Sequence, residues 1–359
     1  MLSPQPQTQI SDQAAEQLLH GLVNTPSPST HEQAAVTLLV NWMRAHGYDE
    51  AYTDEAGNAV GIIGQGERDI ILLGHIDTFS GNPPAHQVGR LLYGRGTVDA
   101  KGPLATFAVA GVQAQLPPNV RLIVVGAVEE EAASSKGARH IATQFQPAAC
   151  IIGEPSNWDR ITLGYKGRLL LDWSWTGPLA HSAGPVLSPA EQAVAYWQQV
   201  QTYTAHINTD RESLFGRLDA TLQHIHSAID GAFGHAQATV GFRLPPDLSP
   251  QLIAEALQPE SPQATVRAYG MENACVAERD TLLSRAMRKG IRAEGGTPRF
   301  VYKTGTADMN IVAPIWNCPI LAYGPGDSAL DHCPDEHINL DEYLQAIRVL
   351  THALNRLSI

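Results

Sequence analysis

His75, Asp77, Asp99, Glu130, Glu131, Glu154 and His332 are the side chains of this chain whose types and spacing can do chemistry. Five of them, His75, Asp99, Glu131, Glu154 and His332, read as ligands for two metal ions, and three of those five, His75, Glu131 and Glu154, follow short apolar runs of the kind that form buried strands. Imidazole and carboxylate donors without cysteine fit a catalytic zinc site better than a structural one. Two ions roughly 3.5–4 Å apart can share a water and lower its pKa toward about 7. A neighbouring carboxylate left off the metals then takes the water's proton and returns it to a leaving amine, and Glu130 is the candidate. His75 and Asp77 lie two apart, so on a strand they point the same way. Asp77 can then steady one ring nitrogen of His75 while the other binds metal. Asp99 is the candidate bridge between two ions. The chemistry this set points to is metal-assisted hydrolysis.

The elements that must position these groups are legible from pattern. Ser11 and Asp12 cap a first helix through Leu22, and Thr30 with Gln33 forms a capping box for a second that stops near Gly47. Strands are expected at 59–63 and 69–76, and a helix with Pro103 in its first turn runs through Gln115. A strand at 120–128 ends in Glu129–Glu130–Glu131, a helix surrounds 138–145, and a strand at 149–153 ends in Glu154. Strands alternating with helices predict an α/β fold with a mostly parallel sheet flanked by helices. Such sheets place their sites outside the carboxyl ends of the strands, where His75, Glu130, Glu131 and Glu154 sit. The order then changes to strand (167–177), helix (189–207), strands (220–229 and 235–244), helix (249–257) and strand (263–271), the signature of a ferredoxin-like α+β domain. The earlier style resumes with a helix at 280–294 and strands at 299–303 and 319–324. Residues 164–271 therefore read as an insertion, and 1–163 with 272–359 as a discontinuous catalytic domain. Leu340, Tyr343, Leu344, Ile347, Leu350, Leu354 and Leu357 recur at helical spacing in a final helix. The Gln/Pro-rich start, 1–9, reads as frayed.

Composition narrows the function classes. With 359 residues, 43% of them hydrophobic, the chain can build two cores. A formal net charge of -12 argues against a nucleic acid or an anionic membrane as partner. No apolar run is long enough to span a bilayer, and no signal peptide is expected. Cys150, Cys275, Cys318 and Cys333 are scattered without CxxC pairing and read as reduced thiols of a cytoplasmic protein. Plainer readings exist for single residues. Asp99 could merely cap the next helix, the three glutamates could be a solvated charge run, and His337 is the rival of His332.

The ordered set is more specific than its pieces. HID at 75–77, GTVDAKGP at 96–103, EEE at 129–131, GEP at 153–155 and the late histidine together resemble the M20 metallopeptidases, the family of acetylornithine deacetylase, succinyl-diaminopimelate desuccinylase and carboxypeptidase G2. The resemblance implies a zinc-exopeptidase-like fold with two Zn2+ per subunit, or Co2+ in their place. His75 and Glu154 would hold one ion, Glu131 and His332 the other, with Asp99 between. The family pattern is Asp-Glu-Glu where this chain has three glutamates. One register makes Glu130 the base and Glu131 the ligand; the other makes Glu129 the base and Glu130 the ligand. The family also implies that the inserted domain pairs two subunits into a homodimer and closes over the site. His181, in Ala180–His181–Ser182, would reach the partner subunit's site and donate to the developing oxyanion. Arg243 and Lys303 resemble positions that clamp a substrate carboxylate.

A narrower resemblance rests on GYKGR at 164–168, VEEEAASSKGAR at 128–139, KTGTADMN at 303–310 and DHCPDEH at 331–337. These look like the hydrolases of lysine and arginine biosynthesis that cut lysine or ornithine from the terminal glutamate of a small acidic amino-group carrier protein. Lys166 and Arg168 would then supply the basic patch such a partner needs. The alternatives are a deacylase of small acyl-amino acids (acetylornithine, acetyl-lysine or succinyl-diaminopimelate), a carboxypeptidase, or a binding protein that has lost catalysis.

Overall fold

The computed structural model describes residues 9–357 apart from 82, 180, 182, 183 and 185. Most of the frayed start expected at 1–9, and the neighbours of His181, therefore lie outside the described residues. From the N-terminus, α1 (Asp12–Val23) and α2 (Gln33–Ala45) precede β1 (Glu50–Thr53), β2 (Ala59–Ile63) and β3 (Arg68–His75). The short strands β4 (His86–Val88) and β5 (Leu91–Tyr93) lead to α3 (Lys101–Gln113), β6 (Val120–Ala127), α4 (Lys136–Gln144), β7 (Ala149–Gly153) and β8 (Arg160–Tyr165). Next come β9 (Gly167–Pro178), α5 (Pro189–Ile207), β10 (Asp219–Asp230), β11 (Phe233–Leu244), α6 (Pro250–Ala256) and β12 (Ala264–Glu272). The chain closes with β13 (Cys275–Val276), α7 (Leu282–Ala293), β14 (Arg299–Lys303), α8 (Asp308–Trp316), β15 (Ile320–Ala322), β16 (His337–Asn339) and α9 (Leu340–Leu354).

Two compact units result. The larger takes in Met1–Gly164, Ala277–Tyr302 and Ala307–Ile359; the smaller takes in Tyr165–Val276 and Lys303–Thr306. The larger unit is built on a nine-stranded sheet in the order β1-β2-β6-β3-β7-β15-β8-β13, with β14 on β8. Its centre, β6-β3-β7-β15, is parallel, so the sheet is mixed but mostly parallel where it matters. Every residue of β3 after Arg68 is buried, which is why this strand reads as an unbroken apolar run: helices cover both faces. Register then fixes the site. His75 pairs with Ala127 and Gly74 with Gly153, so the residues that follow β6 and β7 leave the sheet beside His75. A Cβ on Gly153 would lie 2.9 Å from Gly74 Cα, and only glycine lets these strands close up directly beneath the site.

The smaller unit is a four-stranded antiparallel sheet, β10-β11-β9-β12, with α5 and α6 supplied between its strands. β9 alternates buried and half-buried residues along most of its length, as a sheet covered on one face requires. Leu169, Leu171, Trp173 and Trp175 point into a core of their own with Tyr196 and Val200 of α5.

Several local expectations need correction. Thr30 and Gln33 make no capping box: Glu32 occupies the N-cap of α2 without capping it, and Thr30 has a left-handed backbone, φ 73°. The Glu32 carboxylate instead accepts from the amides of Thr30 (2.8 Å) and Glu129 (3.2 Å), so the start of this helix is spent on holding the glutamate turn. β3 ends at His75, so Asp77 is not on the strand. β8, and α8 with Pro314 inside it, are elements the sequence reading lacks.

Candidate metal centre

Two groups of side chains converge at the carboxyl end of the parallel strands. His75, Asp99 and Glu154 form one; Asp99, Glu131 and His332 form the other, each with ligand atoms within 4.8 Å of one another. His75 Nε2 is 3.1 Å from Asp99 Oδ1 and 3.9 Å from Glu154 Oε1. His332 Nε2 is 3.1 Å from Asp99 Oδ2 and 3.0 Å from Glu131 Oε1. Asp99 thus turns one oxygen to each imidazole, the posture of a bridging carboxylate. It does not cap α3, whose N-cap is Ala100. His337, the rival of His332, lies on β16 against the Tyr93 ring.

The ring of His75 is oriented by the backbone. Its Nδ1 is 2.9 Å from the Asp77 carbonyl oxygen, which can only accept, so Nδ1 carries the proton and Nε2 faces Asp99 and Glu154. The Asp77 carboxylate, 3.5 Å from Nδ1, has a second task. It accepts from Ser29 Oγ (2.7 Å) and from the amides of Glu130 (3.0 Å) and Glu131 (3.1 Å), and so pins the turn carrying both glutamates. Glu129 adopts a left-handed backbone at φ 59°, and its carboxylate accepts from Ser134 Oγ at 2.7 Å. The next residues are thereby sent in a different direction, and Glu131 meets His332. His332 is also left-handed (φ 61°) and stacks on Phe79 with ring centroids 4.4 Å apart.

Glu336 and Arg95 are the residues the sequence reading missed. Glu336 is buried and accepts from the amides of Val98 (2.9 Å) and Asp99 (3.2 Å) and from Arg95 Nη1 (2.8 Å). Arg95 also donates to the Cys333 carbonyl at 3.3 Å. This buried pair ties the Asp99 turn to the His332 loop. The only sequence signals were the acids of DHCPDEH and an arginine between glycines. Glu336→Ala is expected to cost about 3–5 kcal/mol in urea unfolding, because it strands a buried guanidinium. A loss below about 1 kcal/mol, the range of an exposed pair, would show that the pair does not carry this load.

The electrostatics of the cluster ask for positive charge. Burial pushes the carboxyl of Glu154 well above the usual range, and the nearby charge of Glu130 adds to it. Glu130 is raised in the same way by burial; His75 opposes this, while Asp308, Glu131 and Asp77 reinforce it. Burial also raises Glu131, against its hydrogen bond with His332. Asp99 goes the other way: burial would raise it, but His332 and His75 together hold it well below the carboxylate range. His332, beside Asp99 and Glu131, is pushed up to about 10. For His75 burial works against the charge, yet Asp77 and Asp99 raise it well above its ordinary value. Buried carboxylates that repel one another, facing two imidazoles with nitrogen and oxygen donors only, fit a pair of divalent cations.

The remaining candidates lie in the smaller unit. His181 is exposed. Arg243, on β11, donates from Nη1 to Thr306 Oγ1 at 2.7 Å, and Thr306 Oγ1 donates to the Lys166 carbonyl at 3.0 Å. The Lys303 carbonyl accepts from the Lys166 amide at 3.2 Å, so Arg243 and the 303–306 segment are brought together. Lys166 does not belong to a surface basic patch. It is fully buried, and its ammonium donates to Asp219 Oδ2 (2.5 Å) and the Arg217 carbonyl (2.7 Å).

An imidazole–carboxylate cluster of this kind, at the carboxyl end of a parallel sheet, is the arrangement of a metallohydrolase. Comparison with known proteins makes the class specific. Residues 71–356 match peptidase family M20/M25/M40. The chain is 46% identical to a [LysW]-lysine hydrolase of Deinococcus radiodurans over 96% of this chain and 97% of that one. It is 38% identical to a putative [LysW]-lysine/[LysW]-ornithine hydrolase of Thermococcus kodakarensis over 97% of this chain and 93% of that one. Among solved structures, the M20 family metallo-carboxypeptidase Sso-CP2 of Sulfolobus solfataricus superposes with a TM-score of 0.76, covering 95% of this chain and 98% of that one; at 17% identity this likeness shows the fold alone. The chain belongs to peptidase family M20/M25/M40 and is a hydrolase acting on amide bonds.

Proposed function

We propose that this enzyme is a two-metal amidohydrolase that releases lysine or ornithine from the γ-glutamyl amide of an acidic amino-group carrier protein. The observation that carries the reading is the 46% identity, over nearly the whole of both chains, to a hydrolase named for lysine linked to LysW. The donor groups support it: His75 and Glu154 would hold one ion, Glu131 and His332 the other, and Asp99 both. Zinc suits these donors, with cobalt as a substitute. When bound, the cations acidify water and polarise the scissile carbonyl. Glu130, outside both donor groups and held beside them by Asp77, accepts the water's proton and delivers it to the departing lysine amine. His181 of the partner subunit would donate to the oxyanion, and Arg243 and Lys303 would grip a substrate carboxylate.

The homodimer this requires has a suitable edge. β10 is an edge strand of twelve residues on which Ile225 and Ile229 are exposed, and a long uncovered edge of this kind calls for a partner. We place the enzyme in the cytoplasm; among the described residues no helix is long and apolar enough to cross a membrane.

Purified enzyme loaded with zinc or cobalt should release free lysine from the carrier conjugate, faster than it deacylates acetyl-lysine or acetylornithine. Release confined to the small acetylated substrates would replace this reading with that of a small-molecule deacylase.

A further inference from the structure

One strongly basic surface breaks the acidic character of the chain. Residues 279–299 hold six cations (Arg279, Arg285, Arg288, Lys289, Arg292 and Arg299) and two acids. Both acids are already engaged. Asp280 takes a two-pronged pair with Arg285 (2.7 and 2.6 Å), and Glu294 pairs with Arg348 (3.0 Å) and His352 (3.2 Å). Arg279, Arg288, Arg292 and Arg299 instead converge on a cleft of about 450 Å³. Its rim includes Phe300, and the guanidinium carbons of Arg279 and Arg288 lie 5.0 and 5.9 Å from that ring centroid. Among the described residues, the only carboxylate lining the cleft is Asp280, committed to Arg285. Among the described residues no ion pair is recorded for the four converging arginines. Arg288 and Arg292 stand one turn apart on α7, where like charges repel. Guanidiniums gathered against one another around an aromatic ring are arranged to meet carboxylates or another multiply charged anion.

Chain connectivity places this cleft at the catalytic end of the same sheet. β7 and β15 are parallel, and β8 runs antiparallel to β15, so the start of β8 lies where β7 ends in Glu154. The Arg299 amide donates to the Asp159 carbonyl at 3.2 Å, which sets the arginine-bearing start of β14 beside that point. Five residues from Glu154 to Asp159 span at most about 18 Å. A substrate of protein size, anchored by its modified end at the metal centre, covers that distance.

From this we infer that the arginine cleft docks the acidic body of the carrier protein while its terminal glutamyl amide enters the catalytic cluster. The inference rests on the carrier-protein reading of the function. It gives the enzyme, negatively charged overall, a local field that attracts a partner of the same net sign. It also moves the docking role from Lys166, which is buried, to α7 and β14.

The test compares metal-loaded wild type with R288Q/R299Q and R288E/R299E on two substrates: the carrier conjugate and a free γ-glutamyl-lysine amide. Neutralisation should lower kcat/KM on the conjugate about tenfold, through KM, and flatten its salt dependence; reversal should lower it further. Turnover of the free amide should be unchanged in all three proteins. Conjugate KM and salt dependence equal to wild type would overturn the inference and leave the function standing, as would equal losses on both substrates. If wild type cleaves the free amide but leaves the conjugate intact, the carrier reading itself fails and the docking role goes with it. If inorganic phosphate changes wild-type turnover of the free amide but not that of the variants, the cleft is a small-anion site and the docking proposal is overturned.

Discussion

Glu130→Ala is expected to fold, bind two metal ions and turn over its substrate about 10³-fold more slowly. That loss corresponds to about 4 kcal/mol in the barrier. Glu130 has no share in either donor group, so metal content should not change. Stability should be level or slightly higher. Burial and the charges of Asp308, Glu131 and Asp77 all disfavour the ionised carboxylate, and the substitution removes that strain. The adjoining Glu129→Ala should cost little turnover, since the Glu129 carboxylate is turned to Ser134 and lies 3.8 Å from Lys136. Steady-state kinetics with metal analysis on both variants decides the register of the three glutamates. Loss of an ion from Glu130→Ala would make Glu130 a ligand and pass the base role to Glu129.

Metal loading should depend steeply on pH. In the metal-free protein His332 is held protonated by Asp99 and Glu131, with its pKa pushed up to about 10, and His75 is likewise raised. A metal needs each imidazole nitrogen unprotonated, so binding must expel a proton from each. Both pKa values are raised, so apparent affinity falls as pH is lowered from about 10. The slope should be about tenfold per pH unit for each proton expelled. Titration calorimetry in buffers of different ionisation enthalpy should record that proton release at neutral pH. Affinity that is flat between about pH 6 and 9 would show that the imidazoles are not ligands. The same shift bears on stability without metal. The imidazolium pairing of His332 stabilises the fold fully below its ordinary value of 6.5 and is lost as pH rises through about 10. The metal-free protein should therefore weaken toward alkaline pH in a way the loaded enzyme does not.

The parts of this enzyme that could be read from sequence are those governed by short-range rules. β7 and α5 carry the boundaries expected from sequence, 149–153 and 189–207. The candidate ligands could be found because a buried parallel strand reads as a continuous apolar run, and a charged residue at its end stands out. The misses share one cause. Glu32, Arg95 and Glu336 look like surface polar residues in sequence, and each is buried only because a distant segment supplies its partner. Lys166 was misjudged for the same reason: its charge is met by Asp219, on a strand 53 positions further on. Spacing says nothing about a pairing made across a sheet.

By itself, then, the order of residues determined the donor types, their placement after strands and the family. Tertiary structure alone decided that Asp99 offers one oxygen to each of two histidines, that Asp77 holds the glutamate turn as well as facing an imidazole, and that an arginine cleft opens beside the start of β8. Those outcomes depend on strand register and on left-handed turns at Glu129 and His332. Both are settled by packing between segments far apart in the chain, which local propensity cannot encode.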